Sequence, residues 1–288
     1  AVLARSTLFT ALGRPATLEA KEPPKIDSDV VYGHKDGLAL TLDVVRPEGE
    51  TKRRAILFMV SGGWFSNWSP PEQLRGWLRP YLDHGYTLML VRHGSSPRYP
   101  LPEIVADVRQ AVRYVRLNAD RWNVDPDRLG VLGMSAGGHL ALMLGTTGED
   151  GAADAESPLE QTSSRVSAVV ALVPPTDLRV AVWEAPETLP VYRNFPALDM
   201  TVEQGGEYSP VLHASPDDAP ALVIMGGNDE LVPPKHGTWI AEALQRENVP
   251  HQLTIIPDVG HGLGGAGKRE QVFEQSLGWF DRYLLDAE

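Results

Sequence analysis

Six short apolar runs punctuate the chain from residue 54 onward. They are "RAILFMV" (54–60), "YTLMLV" (86–91), "RLGVLGM" (128–134), "VSAVVALV" (166–173), "ALVIMGG" (221–227) and "HQLTIIP" (251–257). Their apolar character is mostly continuous rather than alternating, which predicts strands buried on both faces, as in a parallel sheet. Ahead of them, "DVVYG" and "LALTLDVVRP" lie either side of the turn-forming "HKDG", a pattern that predicts a leading antiparallel hairpin.

Between the strands the period changes. In "PEIVADVRQAVRYVRLNADRW" (102–122), Ile104, Val105, Val108, Ala111, Val112 and Val115 fall on one stripe at helical spacing. Arg109, Arg113 and Arg116 lie off that stripe and are expected on a solvated face. "REQVFEQSLGWFDRYLLD" (269–286) makes a second amphipathic helix. Alternation of β and α at this length predicts an α/β fold, a mostly parallel sheet with helices on both faces, joined by right-handed crossovers. Residues 1–25, ending in "KEPPK", are expected to be an N-terminal extension, and 26–288 one domain. "GEDGAADAESP" (148–158) reads as a polar loop. The irregular segment 178–209, rich in Pro and aromatics, is expected to form a small lid.

Composition narrows the choice of function. At 288 residues, with 42% hydrophobic and 22% charged residues, the chain buries a sizeable core without staples. A formal charge of −12 argues against nucleic acid or an anionic membrane as partner, since both need clustered Lys and Arg. The absence of cysteine excludes disulfides, thiolate metal sites and a Cys nucleophile. No apolar run reaches the length of a membrane span. No H-E-x-x-H or paired-His spacing suggests a metal site, and no cofactor is expected. A soluble protein is expected, with a periplasmic or extracellular location favoured over a cytoplasmic one.

The chemistry concentrates at strand ends. Gly133-Met134-Ser135-Ala136-Gly137 is a G-x-S-x-G pattern placed directly after one predicted strand and opening a helix. In that context the serine sits on a strained turn with its hydroxyl pushed out of the sheet top, and the following N–H serves as an oxyanion donor. Ser135 is thus the candidate nucleophile and Ala136 N–H the first donor. A serine needs a base oriented by an acid, and in this architecture the chain order is Ser, acid, His. Asp229, in "GGNDELVP" after a strand, is the expected acid, ahead of Glu230, Asp258 and Asp177. His261, in the glycine-rich "DVGHGLGG" after the last strand, is the expected base. Of the other histidines, His93 follows a strand end near the site, and His139, four residues after Ser135, is expected to pack or cap. His34, His84, His213, His236 and His251 carry no signal. A second oxyanion donor must come from the turn after the early strand, here "SGGW", which nominates Gly62, Gly63 and Trp64.

With these residues assembled, the chain resembles the α/β-hydrolase superfamily. Within it, the likeness is to the esterase/lipase branch that includes acetyl esterases, hormone-sensitive-lipase-like enzymes and bacterial feruloyl esterases. Five segments carry the resemblance in order: "SGGW", "SSPRYPLPEIVADVRQAVRYVRLNA", "NVDPDRLGVLGMSAGGHLA", "YSPVLHASPDDAPALVIMGGNDELVP" and "GHGLGG". It implies hydrolysis of a short-chain or acetyl- or feruloyl-type carboxylic ester, small-molecule or carbohydrate-linked, through an acyl-enzyme, with Ser135, Asp229 and His261 as triad. An amide or peptide hydrolase with the same triad is the alternative, and a catalytically dead binding protein a more distant one. The family's usual "HGG-x-W" reads here as Ser61-Gly62-Gly63-Trp64-Phe65, and its "YRL" as His93-Gly94-Ser95. The Ser61 hydroxyl is expected to hold the loop in place of the usual imidazole. Trp64, Trp68 and Trp183 either wall an aromatic or sugar-binding pocket or fill core and lid.

Overall fold

The structure is a computed structural model that describes residues 25–183, 195–265 and 267–285, except the side chains of 74–76 and 181–183. Eight strands form one sheet: β1 (Ile26–Lys35), β2 (Leu38–Val45), β3 (Ala55–Met59), β4 (Thr87–Val91), β5 (Leu129–Met134), β6 (Ala168–Leu172), β7 (Ala221–Gly226) and β8 (His251–Ile256). Their spatial order is β1-β2-β4-β3-β5-β6-β7-β8. The first two pairings, β1 with β2 and β2 with β4, are antiparallel, and the rest are parallel. This is the expected α/β-hydrolase architecture with its leading hairpin. The hairpin turns at Asp36 and Gly37, both at positive φ (49° and 77°), as a two-residue turn matched to strand twist requires.

Where helices cover both faces, the continuous apolar runs become fully buried strands: β3, β4, β6 and β7 bury every residue and β5 all but Met134. The last run departs from that expectation, because β8 lies at the edge of the sheet and buries only Ile256. Ala55, Leu57 and Met59 of β3 and Met89 and Val91 of β4 enter one core, while Ile56, Phe58, Leu88 and Leu90 enter the other. The period of two thus divides each run between two layers. The first core is closed by α2 (Leu101–Leu117), α3 (Ala136–Thr146) and α6 (Lys235–Arg246), and the second by α1 (Pro71–Asp83) and α7 (Lys268–Leu284). Gly130 of β5 lets α7 approach, since a Cβ there would lie 2.7 Å from the Phe280 ring.

Three details differ from the sequence expectation. The helix expected over 102–122 stops at Leu117 and resumes as a 3-10 turn, Ala119–Trp122. Asn118 bonds back to the Tyr114 carbonyl through its amide side chain (2.8 Å), and Asn123 takes φ 53°. Such local side-chain bonding and left-handed backbone end helices. The three arginines off the apolar stripe are not a free solvated face. Arg109 and Arg113 grip Glu149 (2.7 and 2.6 Å), and Arg116 bonds the Arg165 carbonyl (2.6 Å). They tie the 149–165 loop to α2. The segment 178–209 contains α4 (Leu178–Trp183) and α5 (Val202–Glu207), and residues 184–194 of the expected lid lie outside the described residues. Leu178, Ala197, Leu198 and Ser209 of this segment are buried. No helix among the described residues is long and apolar enough to cross a membrane.

The hairpin is pinned to the parallel sheet by a buried ion pair. Arg92, just past β4, reaches Asp43 Oδ2 and Oδ1 at 2.5 and 3.0 Å, Asp29 Oδ1 at 2.9 Å and Thr41 Oγ1 at 3.0 Å. Asp43 is fully buried, so each charge depends on the other for solvation. The next residue, His93, opens the loop that leads toward the candidate site.

Candidate active site

The centre of the sheet places Ser135 on a sharp turn. Its backbone adopts φ 56°, ψ −123° between β5 and α3, a conformation that costs a non-glycine residue roughly 1–3 kcal/mol. Its amide donates to the Leu172 carbonyl on β6 (2.8 Å), and its carbonyl accepts from His139 N (2.9 Å). The glycines around it are required by space. A Cβ on Gly133 would overlap the Gly137 carbonyl, one on Gly137 would lie 2.7 Å from Met59 O, and one on Gly138 2.9 Å from Leu172 O. Helix and strands therefore approach closely enough to hold the elbow closed.

Asp229 follows β7 with its side chain fully buried. Its Oδ1 accepts the amides of Leu231 and Val232, both at 2.9 Å, and Oδ2 lies 2.8 Å from His261 Nδ1. The far nitrogen of His261, Nε2, lies 2.9 Å from Ser135 Oγ. Because a carboxylate only accepts, Nδ1 carries the proton and Nε2 presents its lone pair to the hydroxyl. The competing acids lie elsewhere. Glu230 and Asp258 are exposed, and the Asp177 carboxylate is held by Arg179 at 2.6 and 2.9 Å. Among the described residues no cluster of His, Asp or Glu is arranged to hold a metal ion.

The "SGGW" turn is a two-residue reversal. Gly62 and Phe65 exchange both backbone hydrogen bonds at 2.9 Å, and Gly63 and Trp64 between them take φ 56° and 59°, the positive values that such a tight turn needs. This corrects one expectation: the Gly62 amide is spent closing the turn. The amides of Gly63, Trp64 and Ala136 have no partner among the described residues. The Ser61 expectation is also corrected. Its Oγ is buried without a hydrogen-bond partner among the described residues, and nothing described there ties it to the loop. That work falls to Ser66 Oγ, which donates to the Val60 carbonyl (2.6 Å), and to Ser95 Oγ, which accepts from Ser66 N (2.9 Å).

The remaining pocket candidates separate. The Trp64 ring is buried at 3% exposure, edge-on to Phe195, whereas Trp68 stands 59% exposed on the surface. The side chain of Trp183 lies outside the described residues. His93 is buried, donates from Nδ1 to the Gly94 carbonyl (2.7 Å), and leaves Nε2 unpartnered; burial pushes its imidazole down to about 4. It has no hydrogen bond to Ser135 or His261. A cleft of about 220 Å³ runs beside the turn, lined by Phe58, Met59, Gly62, Phe65, Asn67 and Met134 among others. A larger cavity of about 610 Å³, bordered by Arg46, Glu48, Thr87 and Trp122, opens at the opposite edge of the sheet, away from the triad.

One residue of the site was undervalued by its sequence position. His139 is fully buried, accepts from Trp64 Nε1 (3.1 Å) at Nδ1, and donates from Nε2 to the Tyr208 carbonyl (2.7 Å). Burial pushes it down to about 4, so it stays neutral. Its signal is a lone histidine on a helix whose eleven residues are all buried.

Comparison with known proteins agrees with the fold. The chain is 29% identical over 230 residues to the probable carboxylic ester hydrolase LipM of Mycobacterium tuberculosis, covering 76% of this chain and 52% of LipM. It is 29% identical over 247 residues to esterase LipC of the same organism, covering 81% and 59%. The chain thus spans between half and three fifths of the length of these relatives. A truncated carbohydrate esterase from gut microbiota superposes with a TM-score of 0.77 at 25% identity, covering 91% of this chain and 97% of that one. The BD-FAE family profile matches residues 42–244, which is most of the sheet together with the nucleophile turn, and the chain belongs to the BD-FAE family of α/β-hydrolase-fold proteins.

Proposed function

We propose that this protein is a serine carboxylic ester hydrolase working through an acyl-enzyme. The observation that carries the reading is the unbroken line from Asp229 through His261 to Ser135, with steps of 2.8 and 2.9 Å. His261 Nε2 takes the Ser135 proton as Oγ attacks the ester carbonyl. Asp229 Oδ2 keeps the Nδ1 proton in place and stabilises the imidazolium. Negative charge on the carbonyl oxygen falls to the unpartnered amides of Ala136, Gly63 and Trp64, with the α3 N-terminus adding a favourable dipole. His261 then protonates the leaving alcohol, and a water activated by the same imidazole releases the acid. The cleft of about 220 Å³ beside the turn suits a compact group, which supports short-chain or acetyl esters, including esters on carbohydrates.

The test is hydrolysis of p-nitrophenyl acetate by the wild type and by Ser135→Ala, with fluorophosphonate labelling alongside. Turnover and labelling should both vanish in the variant while the melting temperature is kept. Turnover retained by Ser135→Ala would sink the assignment.

A further inference from the structure

We propose that His139 is a positioning residue for the oxyanion turn, holding Trp64, and with it the free amides of Gly63 and Trp64, in register with the nucleophile helix. The proposal rests on the acyl-enzyme reading above and extends it to a residue outside the triad.

The geometry joins three elements at one imidazole. His139 belongs to α3, and its amide bonds the Ser135 carbonyl at 2.9 Å, so its backbone shares the first turn with the nucleophile. Its Nδ1 accepts the Trp64 indole N–H at 3.1 Å, and its Nε2–H donates to Tyr208 O at 2.7 Å. An indole only donates and a carbonyl only accepts. The group between them must therefore accept at one end and donate at the other, which a neutral imidazole does in one tautomer only. The ring also stands edge-on to Trp64, with centroids 5.4 Å apart. The imidazole is fully buried, so a lost partner would not be replaced by bulk water.

The turn needs such a holder. Trp64 carries φ 59°, an unfavourable conformation for a bulky residue that persists only where surroundings enforce it. The Ser61 hydroxyl has no partner among the described residues to enforce it. Ser66 and Ser95 fasten the backbone after the turn, and Ser96 N reaches the Trp64 carbonyl at 3.2 Å. The bond from Trp64 Nε1 to His139 ties the turn to the helix that carries Ser135 by a side-chain hydrogen bond. Donors displaced by about 1 Å lose on the order of 100-fold in rate.

The experiment compares kcat and KM for p-nitrophenyl acetate in His139→Leu, His139→Asn, Trp64→Phe and the His139→Leu/Trp64→Phe double variant. His139→Leu removes both bonds and should lower kcat roughly 10- to 100-fold with KM within about threefold. His139→Asn keeps one acceptor and one donor and should restore most of the loss. Trp64→Phe keeps an aromatic ring, removes the indole N–H, and should also lower kcat. The double variant should be no worse than the more damaged single one, because both changes cut the same link. The proposal is overturned if His139→Leu keeps kcat within twofold, if KM carries the loss, if Asn rescues no more than Leu, or if the two effects multiply. Should His139→Leu fail to fold, Trp64→Phe decides alone, and unchanged kcat there overturns it. Failure of the underlying reading shows separately, as turnover that survives Ser135→Ala.

Discussion

Mild acid should destabilise this protein through three buried histidines. His93, His139 and His236 are each at most 5% exposed, and burial, the largest cause in every case, pushes each down to about 4. Nearby Lys35 adds to this at His93 and Lys235 at His236, while backbone bonds to Gly94 and Tyr208 oppose it at His93 and His139. In the unfolded chain these imidazoles return to about 6.5. Between about pH 6.5 and 4 the unfolded state therefore holds protons that the native state refuses, so stability falls as pH falls. Each histidine contributes about 3 kcal/mol once the pH is below its native value. Three together reach about 10 kcal/mol, comparable with the 5–15 kcal/mol of a whole domain. Asp107 and Asp218, raised by burial, act with the opposite sign from the usual carboxylate value upward, so they offset part of the loss at the acid end of this window. Asp177 and Asp281 are lowered, so their contribution is lost only at still lower pH. The assay is urea unfolding followed by tryptophan fluorescence from pH 7.5 to 4.5. Near the middle of the window the slope should approach about 4 kcal/mol per pH unit, three protons' worth, and His139→Asn should reduce it by about one third. Uptake of less than one proton across the window, or stability that rises toward acid, would refute the reasoning.

Ser61→Ala should leave kcat unchanged and stability equal or raised by about 1 kcal/mol, because it removes a buried hydroxyl with no partner; a tenfold loss of turnover would show that the hydroxyl acts in the site. Asp43→Ala should cost about 3 kcal/mol by removing the buried carboxylate of the Arg92 pair and leaving the guanidinium only the half-exposed Asp29 and Thr41, read as a lowered calorimetric melting temperature. Gly137→Ala would set a methyl 2.7 Å from Met59 O and should lower both stability, by about 1–3 kcal/mol, and kcat, since β3 leads into the oxyanion turn; near-native values of both would contradict the close approach.

Much of the fold was legible because a parallel sheet writes itself as continuous apolar runs. β3 to β8 each fall within one of the six runs, and the helices between them supply the second layer that such runs demand. The elements left unspecified were those with weak local signals. α1 begins at Pro71 and carries Pro80 inside it, so its pattern is broken by residues that usually end helices. α4 and α5 have six residues each, too short for a helical period to register. The early end of α2 depended on two asparagines whose side-chain and left-handed preferences compete with an apolar stripe that had already run out at Val115.

The candidate site divides along the same line between local and distant information. Ser135, Asp229 and His261 each follow a strand end on the carboxyl edge of the sheet, and strand order alone brings those ends together, so position in the chain was enough to nominate them. The proposed oxyanion turn was legible as a glycine pair, but which of its amides lack a partner was not. That depends on the exchange of bonds between Gly62 and Phe65, a property of turn geometry rather than of residue type. The least legible feature was what fastens the turn. Replacement of an expected imidazole by Ser61 suggested that the hydroxyl had inherited its task. Instead, a histidine 78 positions later in the chain, His139, bonds the Trp64 indole from the nucleophile helix. Its partners come from residue 64 and residue 208, and no window of sequence contains all three. A buried histidine on an otherwise apolar helix is the one local trace of this arrangement. Its physical meaning follows from elementary accounting: a fully buried imidazole must find both a donor and an acceptor, and here the donor it finds belongs to the turn proposed to present the oxyanion amides.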